Sequence, residues 1–399
     1  MQILLIVGLI FVFGSFAKVL TQKINILNVV GYLLLGIIIG PHALNIIPKE
    51  FIEGGNFIID MSLSLISVLV GANLRYNIIK NTLKQIFTIS LFEAIFTFLF
   101  ISISFYLLFN YLHFNFGKEY RIITAILFGG LATATAPATI LAVIHETKTK
   151  SRFGTFLLGV VALDNAFALI LFSFIVIIAK SFIDLNSISI DTILNIFKTV
   201  IFSIALGSFA AYISDRMDRA FSSNTGVKTT STLGVIFIVY GLSGYLDLEP
   251  LLSSLAMGVV AANLSKNFYI VKKEFDNHLK DIIFLLFFTI SAMHLNISFL
   301  AQAPAIIFCY IIFRILGKVI GVWVGSKLSG ADKSIANNLG ITLFPQAGIA
   351  IGLVLSLQDM TGFEIVAPIM LNIIIATTLI HELIGPFLTK LILKKYRKK

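Results

Sequence analysis

An aspartate and an asparagine, Asp164 and Asn165, sit side by side in the apolar run VVALDNAFALILFSF, residues 160–174. A carboxylate in the middle of a bilayer costs about 2.5–3.5 kcal/mol on insertion scales. It persists there only if it is paired, protonated or reached by water. Burial favours the neutral form of a carboxyl group, and a nearby cation favours the ionised form. A carboxylate balanced between those pulls can exchange a proton for a metal cation near neutral pH. The alternative is structural: Asp164 pins two helices through a salt bridge. Arg314 and Lys318 lie four residues apart in FRILGKVIG, hence on one helix face, and sit deep in an apolar span. Either could partner the carboxylate. Arginine stays charged, whereas a buried lysine changes protonation readily, so Arg314 suits a permanent counter-charge and Lys318 one that responds to the carboxylate.

Two further stretches supply oxygen atoms. GGLATATAPATILAVI (129–144) and GITLFPQAGIAIGLVL (340–355) each place a proline, Pro137 or Pro345, amid small and hydroxyl residues. Proline lacks the backbone donor and blocks the carbonyl one turn back, so each stretch reads as a broken helix with free carbonyls. Such breaks are tolerated in a membrane where they are buried or line a cavity. With Asp164 and Asn165, the polar groups of Thr133, Thr135 and Gln346 would make an oxygen-rich site for a hard monovalent cation. Glu93 and Asp60 could each be a second carboxylate or a buried anchor. His294 reads as interfacial or as a sensor. His381 and Glu382 are neighbours on different faces of the last span, and their spacing assigns them no role.

The elements that hold these residues are membrane helices. Of 399 residues 58% are hydrophobic and 13% charged, with a mean hydropathy of +0.97; soluble domains carry roughly 25% charged residues. Spans of about 20 apolar residues are expected near 1–17, 27–47, 57–72, 86–111, 122–144, 153–179, 191–213, 229–246, 249–265, 281–296, 301–325, 335–357 and 364–392. With the N-terminus outside, the inner connections and the tail hold 23 Lys and Arg, against 4 in the outer connections. Cytoplasmic loops are enriched in basic residues, so the net charge of +10 reflects topology and no nucleic-acid partner is expected. The basic end KKYRKK reads as a cytoplasmic anchor beside anionic lipid. The first run lacks a basic leader and a cleavage site, so it reads as a retained span. The lone Cys309 forms no internal disulfide. No second soluble domain is expected. The broken stretches fall in spans 5 and 12. An offset of seven spans inverts orientation, so spans 1–6 and 8–13 are expected to be inverted repeats with their site near the midplane.

NVVGYLLLGIIIGPHAL, ATATAPATILAVIHETKTKSRF followed by VVALDNAFALILFSF, YGLSGYLDLEPLLSSLAMGVVAANL, and FRILGKVIGVWVGSKLSG with LGITLFPQAGIAIGLVL run in order along nearly the whole chain. This ordered set resembles the monovalent cation–proton antiporter superfamily, of the sodium/hydrogen exchanger type. The resemblance implies an all-α membrane fold of about thirteen helices in a single transmembrane domain, with a six-helix core (86–179 and 301–392) and a scaffold (1–72 and 191–296) that usually dimerises. It also implies two discontinuous helices crossing at the ion site and an elevator-like alternating-access cycle. Relatives carry Asp-Asp or Asn-Asp where this chain reads Asp164-Asn165, and Thr-Asp-Pro where it reads Thr135-Ala136-Pro137. Asn165 would thus occupy the slot of the usual ion-binding aspartate. Lys318 looks like the lysine that pairs with the first aspartate, which implies a resting Asp164–Lys318 pair.

The expected function is secondary active exchange of a monovalent cation, Na+ before K+, for protons, in a plasma or inner membrane and in the service of pH homeostasis. One carboxylate makes one-for-one exchange the simpler expectation. A homodimer in contact with lipid is expected, and no cofactor. The rival reading is a channel-like K+ efflux pathway, or a sensor that keeps the fold without transport. No P-loop, nucleophile elbow or HExxH is present to support an enzyme.

Overall fold

The computed structural model describes residues 2–24, 26–111, 118–147, 151–183, 190–220, 224–265, 268–296, 304–346, 348–358 and 360–396. Basic residues 148, 150, 266 and 397–399, counted in the charge reading, lie outside them. The described residues are helix and connection, with no strand among them. The helices are α1 Gln2–Lys23, α2 Asn28–Ile39, α3 Asn56–Gly71, α4 Leu83–Tyr111, α5 Lys118–Thr133, α6 Pro137–Thr147, α7 Arg152–Ile183, α8 Ile190–Ala220, α9 Thr225–Tyr245 and α10 Pro250–Leu264. They continue as α11 Phe268–Glu274, α12 Lys280–Met293, α13 Pro304–Ser329, α14 Lys333–Thr342, α15 Gly348–Gln358 and α16 Val366–Lys395. Short helices Lys49–Gly54 and Tyr76–Ile79 occupy connections.

Counting the pairs α5/α6, α11/α12 and α14/α15 as single interrupted or bent segments, these helices follow the thirteen apolar runs in order. Seven are long and apolar enough to cross a membrane by length and composition. Leu4, Leu5 and Phe16 on α1 are exposed, as lipid-facing side chains of an integral membrane protein are. Four boundaries differ from expectation by more than about four residues: α1 runs on to Lys23 rather than ending at 17, α8 runs on to Ala220 rather than ending at 213, and two others have local causes. α2 stops at Ile39, because Gly40 caps it and Pro41 follows, a common helix stop. The tenth segment starts at Phe268 and runs through a π-helical turn, Phe275–Leu279, into α12; Lys272, Lys273 and Lys280 make its first three turns too polar to read as an apolar run.

The chain divides into two compact units, residues 1–73 with 202–301, and residues 74–201 with 302–399. In the first, α3 and α10 cross at glycines: a Cβ on Gly71 would collide with the carbonyl of Leu255, and one on Gly258 with that of Val68. In the second, α13 lies along α4 through a stripe of three glycines. Cβ atoms on Gly317, Gly321 and Gly325 would stand 2.6, 2.6 and 2.8 Å from the Cα atoms of Thr97, Glu93 and Ile89. Small residues let membrane helices approach backbone to backbone. Here the approach carries Lys318, next to Gly317, onto Glu93.

Candidate functional site

The site is built where two helices stop. Pro137 has no N–H to bond the carbonyl of Thr133, four residues back, so α5 ends at Thr133, residues 134–136 run non-helical, and Pro137 begins α6. Proline at the first helical position wastes no donor, since that N–H would be an orphan in any case. Pro345 lies inside the second break, with no N–H for the carbonyl of Ile341; α14 ends at Thr342, residues 343–346 are non-helical, and α15 begins at Gly348. The two interruptions meet, with the Ala136 N–H donating to the Pro345 carbonyl at 3.0 Å.

Buried backbone groups must find partners, and at the first break the accounting is complete for four successive carbonyls. Leu131 accepts from Gln346 Nε2 at 2.9 Å. Ala132 accepts from Arg314 Nε at 2.9 Å, and Ala134 from Arg314 Nη2 at 2.7 Å. Thr133, the carbonyl that Pro137 cannot bond, accepts from Lys318 Nζ at 2.9 Å. The freed Thr135 N–H donates to Asn165 Oδ1 at 3.2 Å, while Asn165 Nδ2 donates back to Val161 of its own helix at 2.8 Å. Asn165 therefore clamps the break to α7.

Asp164 is fully buried. Its Oδ2 accepts from the Thr135 hydroxyl at 2.8 Å and faces Lys318 Nζ at 3.4 Å. Lys318 also donates to Thr135 Oγ1 at 3.0 Å and makes a close ion pair with Glu93 Oε1. Glu93 accepts in addition from Thr97 Oγ1 at 3.1 Å. One ammonium is thus shared by two carboxylates, each of which keeps one oxygen, Asp164 Oδ1 or Glu93 Oε2, with no protein hydrogen-bond partner among the described residues.

Of the residues expected at an ion site, Asp164, Asn165 and Thr135 come together. Thr133 contributes its carbonyl, to Lys318; its hydroxyl turns back to Gly130 at 2.7 Å. Gln346 joins the second break to the first and donates to Tyr310 Oη at 2.9 Å, with no bond to Asp164. Arg314, expected as a counter-charge to Asp164, spends its fork on carbonyls: besides Ala132 and Ala134, Nη1 reaches Phe344 at 2.7 Å. The ends of α5 and α14 carry negative dipole character, so they are what this guanidinium neutralises. Carbonyls expected to be open to a cation are, in this conformation, engaged by Arg314, Lys318 and Gln346.

Glu93, weighed before only as an anchor or a second carboxylate, is the residue that sequence reasoning undervalued. A signal existed: glycines spaced by four in GKVIGVWVG flank Lys318 and mark a close helix contact, though not which helix makes it. Asp60 lies elsewhere, accepting from Tyr240 at 3.0 Å in the first unit. The His294 ring sits half-buried against the carbonyls of Ile290 and Ser291.

The comparisons with known proteins agree in class. A family profile described as "Sodium/hydrogen exchanger, transmembrane" matches residues 8–395. A protein of Methanocaldococcus jannaschii named "Probable Na(+)/H(+) antiporter 3" is 23% identical over 347 residues, covering 84% of this chain and 82% of its own. The solved structure of the sodium proton antiporter MjNhaP1 from the same organism at pH 8 superposes with a TM-score of 0.80 at 18% identity, covering 100% of this chain and 99% of that one. A second structure of MjNhaP1, by electron microscopy, gives 0.79 at 17% identity, covering 99% and 97%. These likenesses show a shared all-α membrane antiporter fold. With the profile running nearly end to end, the chain belongs to the sodium/hydrogen exchanger family.

Proposed function

We propose that this protein exchanges a monovalent cation, Na+ in the first place, for protons, with Asp164 as the central carboxylate. The observation that supports this most is a buried Asp164 held where two interrupted helices meet, with one oxygen tied to Thr135 and Lys318 and the other unpartnered. Hard cations such as Na+ take oxygen ligands, and Asp164 Oδ1 and Glu93 Oε2 are the unengaged acidic oxygens around Lys318.

Charge decides the stoichiometry. Glu93 and Asp164 together bear two negative charges against one on Lys318, so the cluster takes up one mobile positive charge, a proton or a cation. The two exclude each other, because a second would carry the dry cluster past neutrality. That is one-for-one exchange. Lys318 is the element that yields: a cation arriving at Asp164 repels the ammonium, which retains Glu93 and the Thr133 carbonyl as partners. Asn165, in the slot where relatives carry an aspartate, works as a clamp on Thr135. The site residues all fall in residues 74–201 and 302–399, the unit that would move in an alternating-access cycle. The other unit would be the scaffold, pairing with a second copy in the lipid of a plasma or inner membrane, N-terminus outside and basic tail in the cytoplasm.

Proteoliposomes test this. An imposed proton gradient should drive Na+ flux in the wild type, and Asp164→Asn should abolish it. Cation flux without proton movement would indicate a channel, movement of neither a sensor, and full exchange by the variant would remove Asp164 from the mechanism.

A further inference from the structure

A third buried carboxylate lies in the same unit and is used by nothing above. Glu382 on α16 is 1% exposed. Its Oε2 accepts one hydrogen bond, from Thr139 Oγ1 of α6 at 2.6 Å, and its Oε1 has no partner among the described residues. Thr378, one turn earlier on the same helix face, has a buried hydroxyl that is likewise unpartnered. Pro386, inside α16, lacks the N–H that would bond the main-chain carbonyl of Glu382. The Glu382 carboxyl itself keeps one buried oxygen without a protein hydrogen-bond partner among the described residues.

α16 is also wedged against both breaks. Through Glu382 it holds Thr139, two residues past Pro137. Through Gly385, where a Cβ would stand 2.7 Å from Pro345 Cγ, it presses on the second break. The ring of His381 lies 4.8 Å from that of Phe344, whose carbonyl Arg314 holds, and neither of its nitrogens has a partner among the described residues.

Among the described residues the charged group that interacts electrostatically with Glu382 is Arg314 from α13; His381, its chain neighbour, lies on a different face of α16. Arg314 is already committed: each helix C-terminus presents roughly half a negative charge, and it caps two. A buried ionised carboxylate needs a counter-charge, and no cationic side chain among the described residues bonds Glu382. We propose that Glu382, hydrogen-bonded by Thr139, is a second protonation site of this exchanger, one that sets its pH response while Asp164 carries the exchanged proton. When the breaks rearrange and the carbonyls of Ala134 and Phe344 release Arg314, the guanidinium turns to Glu382. The carboxyl then gives its proton to water and becomes the carboxylate partner of Arg314. Proton loss at Glu382 is thereby coupled to the geometry that holds Asp164.

Difference infrared spectroscopy on the full-length protein tests this, read at the C=O stretch of protonated carboxyl groups while pH is stepped. The wild type should show two titrating carboxyl bands in the spans, one removed by Asp164→Asn and another by Glu382→Gln. In proteoliposomes Glu382→Gln should still exchange, with the pH of half-maximal rate moved by about one unit or more, a tenfold change in proton affinity. Unchanged bands and an unchanged profile in Glu382→Gln would overturn the proposal, as would a Na+-dependent band at Glu382, which would make it a cation site. If Glu382→Gln fails to insert, Thr139→Ala removes only the hydrogen bond; it should shift the same band and the pH profile, and an unaltered Thr139→Ala overturns the assignment. The inference rests on the exchanger reading for its transport arm alone. Exchange surviving in Asp164→Asn would sink that reading, while the Glu382 band would stand or fall by itself.

Discussion

Replacing Lys318 by methionine keeps the length of the side chain and deletes its charge. In the structure Lys318 Nζ serves Glu93, Asp164, the Thr133 carbonyl and the Thr135 hydroxyl, all of them buried. Removing one partner of a buried ion pair costs about 3–5 kcal/mol, because the other is left as an uncompensated charge. Lys318→Met should therefore lower the thermal midpoint by several degrees. Glu93→Gln in the same background removes the stranded carboxylate. The double variant should recover about 1–3 kcal/mol of the loss, the coupling expected of residues in one network. Recovery stays partial, since Asp164 and the Thr133 carbonyl still lack their donor. The assay is thermal unfolding in detergent, followed by the fluorescence of Trp323, the single tryptophan, which sits on the exposed side of α13. If the losses from Lys318→Met and Glu93→Gln simply add, the two are not coupled and the shared-ammonium account is wrong. Neither variant should transport, so stability regained without transport also separates folding from function.

Other perturbations probe single links. Gly321→Val sets a branched side chain against the Glu93 backbone, which cannot yield as a side chain would; a loss of about 1–3 kcal/mol and of exchange is expected, and wild-type stability would show that α13 and α4 are not in close contact. Arg314→Lys replaces a fork that reaches three carbonyls with a single ammonium, so at least one buried carbonyl goes unmet at about 1–3 kcal/mol, read as a lower melting midpoint. Thr135→Ser keeps the hydroxyl on Asp164 and Lys318 and should keep exchange, whereas Thr135→Val should reduce the apparent Na+ affinity measured in proteoliposomes.

Much of the architecture was legible because the physics behind it is local. A span announces itself by apolar length, and Pro137 and Pro345 announce a break by the donor each lacks. Asp164 stood out because a carboxylate in an apolar run has few excuses. What sequence could not supply is which helix faces which. Arg314 looked like a partner for Asp164 because both are charged and deep; that the breaks would leave carbonyls for its fork to fill depends on how α5 and α14 meet. Glu93 is one polar residue in a long Phe-rich helix, and its part depends on the glycine face of α13 choosing α4. Glu382 drew no role because its partner, Thr139, is 243 residues away.

The central claim is that one carboxylate holds either a proton or a cation. Proton release from purified protein in unbuffered detergent solution measures this directly. Adding Na+ to the wild type should release protons in proportion to the Na+ bound, and Asp164→Asn should release none from this site and bind no Na+. Binding of Na+ with no proton released, or undiminished release from Asp164→Asn, would contradict the account.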